Sequence, residues 1–139
     1  MCQGGIILDR REYERIRVNA KGTFIVKKED NLVNEFVAKI VDISEKGIRI
    51  EVDSEESKNK ALQITDENFI VFQAMEEFEL YREKTFEYFH GEVEVVHMEQ
   101  DGNSIFLGCK LAYLPDSLKK YISDRKVSIF ISQMDRDNN

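Results

Sequence analysis

The chain has 139 residues, 42% hydrophobic and 34% charged, with 20 Lys and Arg against 27 Asp and Glu for a net charge of −7. That size suits one domain with a core of its own, and the apolar content is too high for a disordered chain. No stretch approaches the ~20 apolar residues of a membrane-spanning helix, and Cys2 and Cys109 make no disulfide framework. The start Met1–Leu8 lacks the basic and apolar pattern of a signal peptide, so a cytoplasmic location without membrane insertion is expected.

The charge is unevenly distributed. Asp9 to Lys28 holds 7 basic and 3 acidic residues, Glu29 to Gly108 holds 7 and 20, and Cys109 to Asn139 holds 6 and 4. A basic arm of net +4 precedes a body of net −13. Such an arm either docks on the protein's own acidic surface or takes an anion.

In chain order, Thr23–Val26 reads as a strand after Gly22. Glu35–Ile43 and Gly47–Val52 read as two strands joined at Ser44–Gly47, the second with Ile48, Ile50 and Val52 alternating with Arg49 and Glu51. Asp53–Lys60 reads as a polar loop and Asn68–Met75 as a strand. Glu76–Phe89 is either a helical excursion or two edge strands joined near Arg82–Lys84. Gly91–Met98 and Ile105–Tyr113 form a hairpin around Gln100–Asn103, where Asp101-Gly102 favours positive φ. After Pro115, Asp116 or Ser117 caps a helix with apolar positions at Leu118, Tyr121, Ile122, Ile129 and Phe130. Val127, Ile129 and Ile131 also alternate as in a strand. One proline and no repeat or linker leave a single domain, a small antiparallel barrel or sandwich with one helix.

Two short motifs carry candidate chemistry. In Arg10-Arg11-Glu12-Tyr13-Glu14-Arg15, Arg11 and Arg15 fall on one side whether the segment is helical or extended. Two guanidinium forks on one side suit phosphate oxygens or a guanine edge, unless Glu12 and Glu14 neutralise them as surface pairs. In Asp42-Ile43-Ser44-Glu45-Lys46-Gly47, the carboxylate and hydroxyl either accept from a purine N–H edge or serve the turn, with Gly47 at positive φ.

In this order and spacing, Arg11-x-x-x-Arg15 and Asp42-x-Ser44-x-x-Gly47 resemble the PilZ family of cyclic di-GMP receptors, over about residues 9–122. Supporting features are Ile48-Arg49-Ile50 and the late Phe106-Leu107-Gly108-Cys109-Lys110-Leu111. The resemblance implies a mainly β fold, a six-stranded antiparallel β-barrel with a C-terminal helix. Its parts are a flexible basic arm at 1–17, the barrel at 18–114 and the helix at 115–134.

The resemblance further implies that Arg11 and Arg15 grip phosphate and guanine while Asp42, Ser44 and Gly47 meet a base. Arg10 before them favours an intercalated pair of nucleotides. It also implies a non-enzymatic adapter with cyclic di-GMP as ligand, no further cofactor and an unidentified protein partner in motility, pili, exopolysaccharide or virulence signalling. The sequence departs from the family scheme over Asp53–Phe89, where the Gly-Asp before its middle strand is missing.

Two other readings stand beside it: a PilZ-like interaction module that does not bind nucleotide, and a small barrel binding nucleic acid through its arm. The −13 body opposes the second, so no nucleic-acid partner is expected. Ile129 and Phe130 make the last helix a candidate homodimer element. His90 and His97 lack metal-ligand spacing with Cys2 and Cys109, and point to opposite faces if strand parity holds. Cys109 reads as a core residue, and Glu76, Glu77 and Glu79 read as an acidic surface patch. No nucleophile, P-loop or dinucleotide motif argues for an enzyme.

Overall fold

Period-two alternation builds the sheet. In the first strand Ile16, Val18, Ala20, Phe24 and Val26 are buried, while Arg17, Asn19, Lys21 and Thr23 between them are exposed. The structure, a computed structural model, describes residues 15–137. Its elements are β1 (Ile16–Lys28), β2 (Asn31–Ile43), β3 (Gly47–Val52), α1 (Glu55–Ala61), β4 (Phe69–Leu80), β5 (Glu83–Asp101), β6 (Ser104–Leu111) and α2 (Asp116–Asp137). All strand pairs are antiparallel, in the closed order β1-β2-β3-β6-β5-β4, with β1 pairing both β2 and β4. The six-stranded antiparallel barrel with a C-terminal helix is therefore the architecture observed.

A chain of aromatic contacts crosses the core into α2. Phe24 stacks on Phe36 and Phe72 with ring centroids 5.6 and 5.7 Å apart, and Phe72 meets Phe89 edge-on at 6.2 Å. Phe89 then stacks on Tyr121 of α2 at 4.1 Å. Each large apolar side chain so buried contributes about 1.5–3 kcal/mol, and each aromatic pair adds about 0.5–1.5 kcal/mol. Gly91 lets Phe72 lie across β5, since a Cβ there would sit 2.9 Å from the ring. Leu118, Tyr121 and Ile122 bury the face of α2 that seats on the barrel.

Several sequence expectations change. Asp53–Lys60, read as a polar loop, holds all of α1 but its last residue, Ala61. Ser54 caps it by accepting the Ser57 N–H at 3.1 Å, and Glu55 and Glu56 occupy its first turn. Of the two readings of Glu76–Phe89, the strand pair is the one observed: β4 and β5 run through it paired with each other and turn at Tyr81–Arg82, beyond the last β1–β4 pair at Met75 and before the first β5–β6 pair at Val93. Ile16 and Arg17, assigned to the arm, begin β1, because Ile16 is buried opposite Ile43.

The chain end is helix, not strand. Phe130 points to solvent, and Asp116 and Ser117, the two expected caps, both lie inside the helix, where the Ser117 hydroxyl accepts the His90 N–H at 3.4 Å. Glu76 leaves the expected acidic surface patch. It shares strand parity with Ile70, Phe72, Ala74 and Phe78 and is buried, whereas Glu77 and Glu79 are exposed. His90 and His97 are both exposed despite their odd spacing, because a register shift between Val95 and His97 restores the outward side. Cys109 is a core residue as expected, and burial pushes its thiol up to about 12.

Gly102 takes φ 62° in the β5–β6 turn, as Asp-Gly predicts. The β4–β5 turn has no such residue: Tyr81 (φ 54°) and Arg82 (φ 66°) both occupy left-handed backbone. That is the conformation a two-residue hairpin demands, at about 1–2 kcal/mol for a side-chain-bearing residue. Arg82→Gly is therefore expected to stabilise the protein by about 1 kcal/mol and raise the melting temperature by a few degrees. A lower melting temperature in calorimetry would contradict this reading of the turn.

Candidate functional site

The site grows from the β2–β3 turn. Ser44 is buried, and its N–H donates to the Gly47 carbonyl at 2.9 Å while its hydroxyl oxygen accepts from the Lys46 and Gly47 amides, both at 3.2 Å. Its hydroxyl builds the turn. Gly47 does not take positive φ, contrary to the sequence expectation. Glycine is required there because a Cβ would lie 2.4 Å from the Cys109 carbonyl oxygen of β6. The constraint is the close approach of two strands.

This turn sets the register of a row of residues on the outer face. Arg17 of β1 stands opposite Asp42 of β2, Asp42 opposite Arg49 of β3, Arg49 opposite Gly108 of β6, and Gly108 opposite His97 of β5. Arg15, just before β1, donates from Nη1 to Asp42 Oδ1 at 2.7 Å. The arginine motif and the Asp-x-Ser-x-x-Gly motif, 27 residues apart at this pair, are thus in contact. Both side chains of the pair are partly open to solvent, 60% for Arg15 and 22% for Asp42, and such a pair contributes about 0–1 kcal/mol. It is a contact that a stronger anion can displace.

Strands of unequal length open a hollow beside the row. Between matched positions β1 carries Val18 and Asn19 where β2 carries Val41, and β2 carries Val41 where β3 carries nothing. The sheet flares, as bulges make it do. A depression of about 380 Å³ results, lined by Arg17, Val18, Val41, Asp42, Arg49 and Phe106. The Arg49 guanidinium lies 4.6 Å from the Phe106 ring centroid and reaches Glu99 Oε1 at 2.9 Å. The hydrogen bonds from Arg49 and then from His97 hold the Glu99 carboxyl below its ordinary value. A flat cation over an aromatic ring is a surface on which a base can stack.

Of the residues singled out in the sequence, the structure brings Arg15, Asp42, Ser44 and Gly47 together. Arg10 and Arg11 lie outside the described residues. Arg17, Arg49 and Phe106 are the additions; the alternation around Ile48 and Ile50 already put Arg49 on the outer face, but nothing local tied Phe106 to it. A second depression, of about 390 Å³ over β1, β4 and β5, contains none of the motif residues and only Lys21 among basic lysines and arginines. Among the described residues no group of three His, Cys, Asp or Glu side chains is placed to hold a metal ion.

The family model described as PilZ domain matches residues 9–124. No curated protein matches the sequence. Among solved structures, the chain is similar to the PilZ domain with c-di-GMP of YcgR from Escherichia coli, with a TM-score of 0.54 and 12% identity over 93% of this chain and 96% of that one. It is also similar to the Bacillus subtilis inhibitor of motility, MotI/DgrA, with a TM-score of 0.54 and 14% identity over 94% of this chain. It spans 53% of that second protein, about half. At these identities the likeness is one of fold.

Because the β3–β6 approach alone calls for glycine at 47, Gly47→Ala should cost about 1–3 kcal/mol in chemical denaturation, as overpacking does. Unchanged stability would mean that the turn, not the strand contact, sets this position.

Proposed function

Because the chain belongs to the PilZ domain family, we propose that it is a receptor for cyclic di-GMP, and an adapter rather than an enzyme. The observation that carries this reading is the Arg15–Asp42 contact, which joins the two motifs at the edge of a hollow rich in arginine. A cyclic dinucleotide presents two phosphates and two guanines, so it asks for bidentate donors, carboxylate acceptors and flat surfaces. Arg15, with Arg10 and Arg11 before it, supplies forks for phosphate oxygens or the O6 and N7 edge of guanine. Asp42, released from Arg15, accepts from the guanine N–H edge. Arg49 over Phe106 offers a stacking platform.

Size and charge favour the same assignment. About 380 Å³ lies near the lower end of small-molecule pockets and suits one base, leaving the rest of the ligand to the arm. The +4 stretch Asp9–Lys28, the end of the arm and β1 together, attracts an anion, while the −13 body keeps long polyanions such as nucleic acid away. Arg10 favours an intercalated pair of nucleotides. Closure of the arm that precedes β1 over the ligand would then change the surface offered to a protein partner.

For that partner the outer face of β4 and β5 presents Met75, Phe86 and Tyr88 exposed to solvent. No described helix is long and apolar enough to cross a membrane, and a cytoplasmic location is part of the proposed reading. The last helix, with exposed Phe130 and Met134, is the element offered for homodimerisation.

Isothermal titration with cyclic di-GMP tests the reading. Arg11→Ala, Arg15→Ala and Asp42→Ala should each weaken binding about 10-fold or more, as expected when a charge-assisted hydrogen bond of about 1.5–3 kcal/mol is lost. The melting temperature of the Arg15 and Asp42 variants should stay within about a degree of wild type, since their mutual pair is exposed. No heat from the wild-type protein at micromolar cyclic di-GMP would overturn the proposal.

A further inference from the structure

Where the ladder between β1 and β4 stops, side chains continue it. The two strands pair from Lys27 opposite Phe69 to Lys21 opposite Met75. Beyond that point the Asn19 N–H donates to Glu76 Oε2 at 2.5 Å, and the Arg17 carbonyl accepts from Arg125 Nη2 at 3.1 Å. The other oxygen of Glu76 accepts from Arg125 Nε at 3.1 Å and from the Tyr121 hydroxyl. Arg125 also lies 5.4 Å from the Phe78 ring centroid.

Glu76 is 4% exposed. A carboxylate so far from water is unfavourable unless paired, and well-packed apolar residues serve stability as well as a buried ion pair does. Apolar residues could not, however, bond the main chain at Arg17 and Asn19. Those two residues flank and enter the irregular stretch between Arg17 and Ala20, where β1 is out of step with β2. The segment held in this way is the one that leads directly to Arg15 and carries Arg17 into the hollow.

We propose that Glu76 and Arg125 are positioning residues for the ligand site. By holding the main chain at Arg17 and Asn19 they set where Arg15 and Arg17 stand beside Asp42 when a ligand arrives. Neither side chain touches the ligand in this scheme; both act through the backbone of β1. The inference rests on the receptor reading above and extends it to residues outside both motifs.

The test compares Arg125→Met and Arg125→Lys with Ile122→Val, a buried change on the same helix whose side chain makes no hydrogen bond to the β1 main chain. Amide hydrogen exchange without ligand and titration with cyclic di-GMP are measured on all of them. In Arg125→Met, exchange at Asn19 should quicken at least about ten-fold and affinity should fall by about the same factor. Arg125→Lys keeps a cation beside Glu76 but lacks a fork to reach the Arg17 carbonyl as well. It should fall between Arg125→Met and wild type, and it carries the test if Arg125→Met does not fold. Ile122→Val should lower the melting temperature and leave affinity unchanged.

Unchanged Asn19 exchange in the Arg125 variants, or wild-type affinity in them, overturns the inference while leaving the receptor reading in place. Equal loss of affinity in Ile122→Val overturns it too, because the role would then be one of stability alone. A wild-type protein that gives no heat overturns the receptor reading, and this inference with it.

Discussion

Closure of the barrel through β1 is the constraint on which the rest depends. A strand left at an edge exposes a row of unpaired N–H and C=O groups, and a closed ring removes that liability. Here β1 satisfies β2 along one side and β4 along the other, but its N-terminal end runs past the last paired residue of β4. That short stretch needs partners, and Glu76 and Arg125 provide them. A polar group in the core is tolerated because it finishes a ladder that the backbone alone does not complete.

The same mismatch opens the candidate site. Residues added step by step from β3 to β2 to β1 flare the sheet next to the β2–β3 turn, and the hollow beneath Asp42 is the consequence. Ser44 and Gly47 set the geometry of the turn. One closes the turn with its hydroxyl and the other lets β6 come close, and together they hold Asp42 in line with Arg17 and Arg49. Geometry is rigid where the turn and strands meet, while the Arg15–Asp42 pair that spans the site is weak and exposed. A rigid acceptor with an exchangeable cation suits a site that must open to admit an anion.

Much of this was legible in the chain. Alternation at Ile48, Ile50 and Val52 marked a half-buried strand, Asp-Gly marked the β5–β6 turn, and the two motifs pointed to the surface where Arg15 meets Asp42. What was not legible has a physical reason in each case. The helix α1 has only Ser57 and Ala61 as buried residues, so it shows no apolar stripe, and its Ser54 cap and acidic first turn lie in a stretch that reads as a polar loop. Glu76 obeys strand parity, but its charge and its acidic neighbours suggested the surface; its partners lie 45, 49 and 57 residues away. Register shifts reset parity at Val95–His97 and placed Val41 beside the hollow, and no local pattern announces a bulge. The glycine at 47 was recognised for the wrong reason, because strand proximity is a tertiary fact and turn conformation a local one.

The central claim is that the two motifs and the hollow between them form one site for cyclic di-GMP. An amide NMR titration of the wild-type protein with that nucleotide tests it directly. The account predicts that the largest shifts fall on Arg15, Arg17, Asp42, Arg49 and Phe106, while the β4–β5 turn at Tyr81 and Arg82 stays unmoved. Saturable shifts centred elsewhere on the barrel, or no shifts at all, would contradict it.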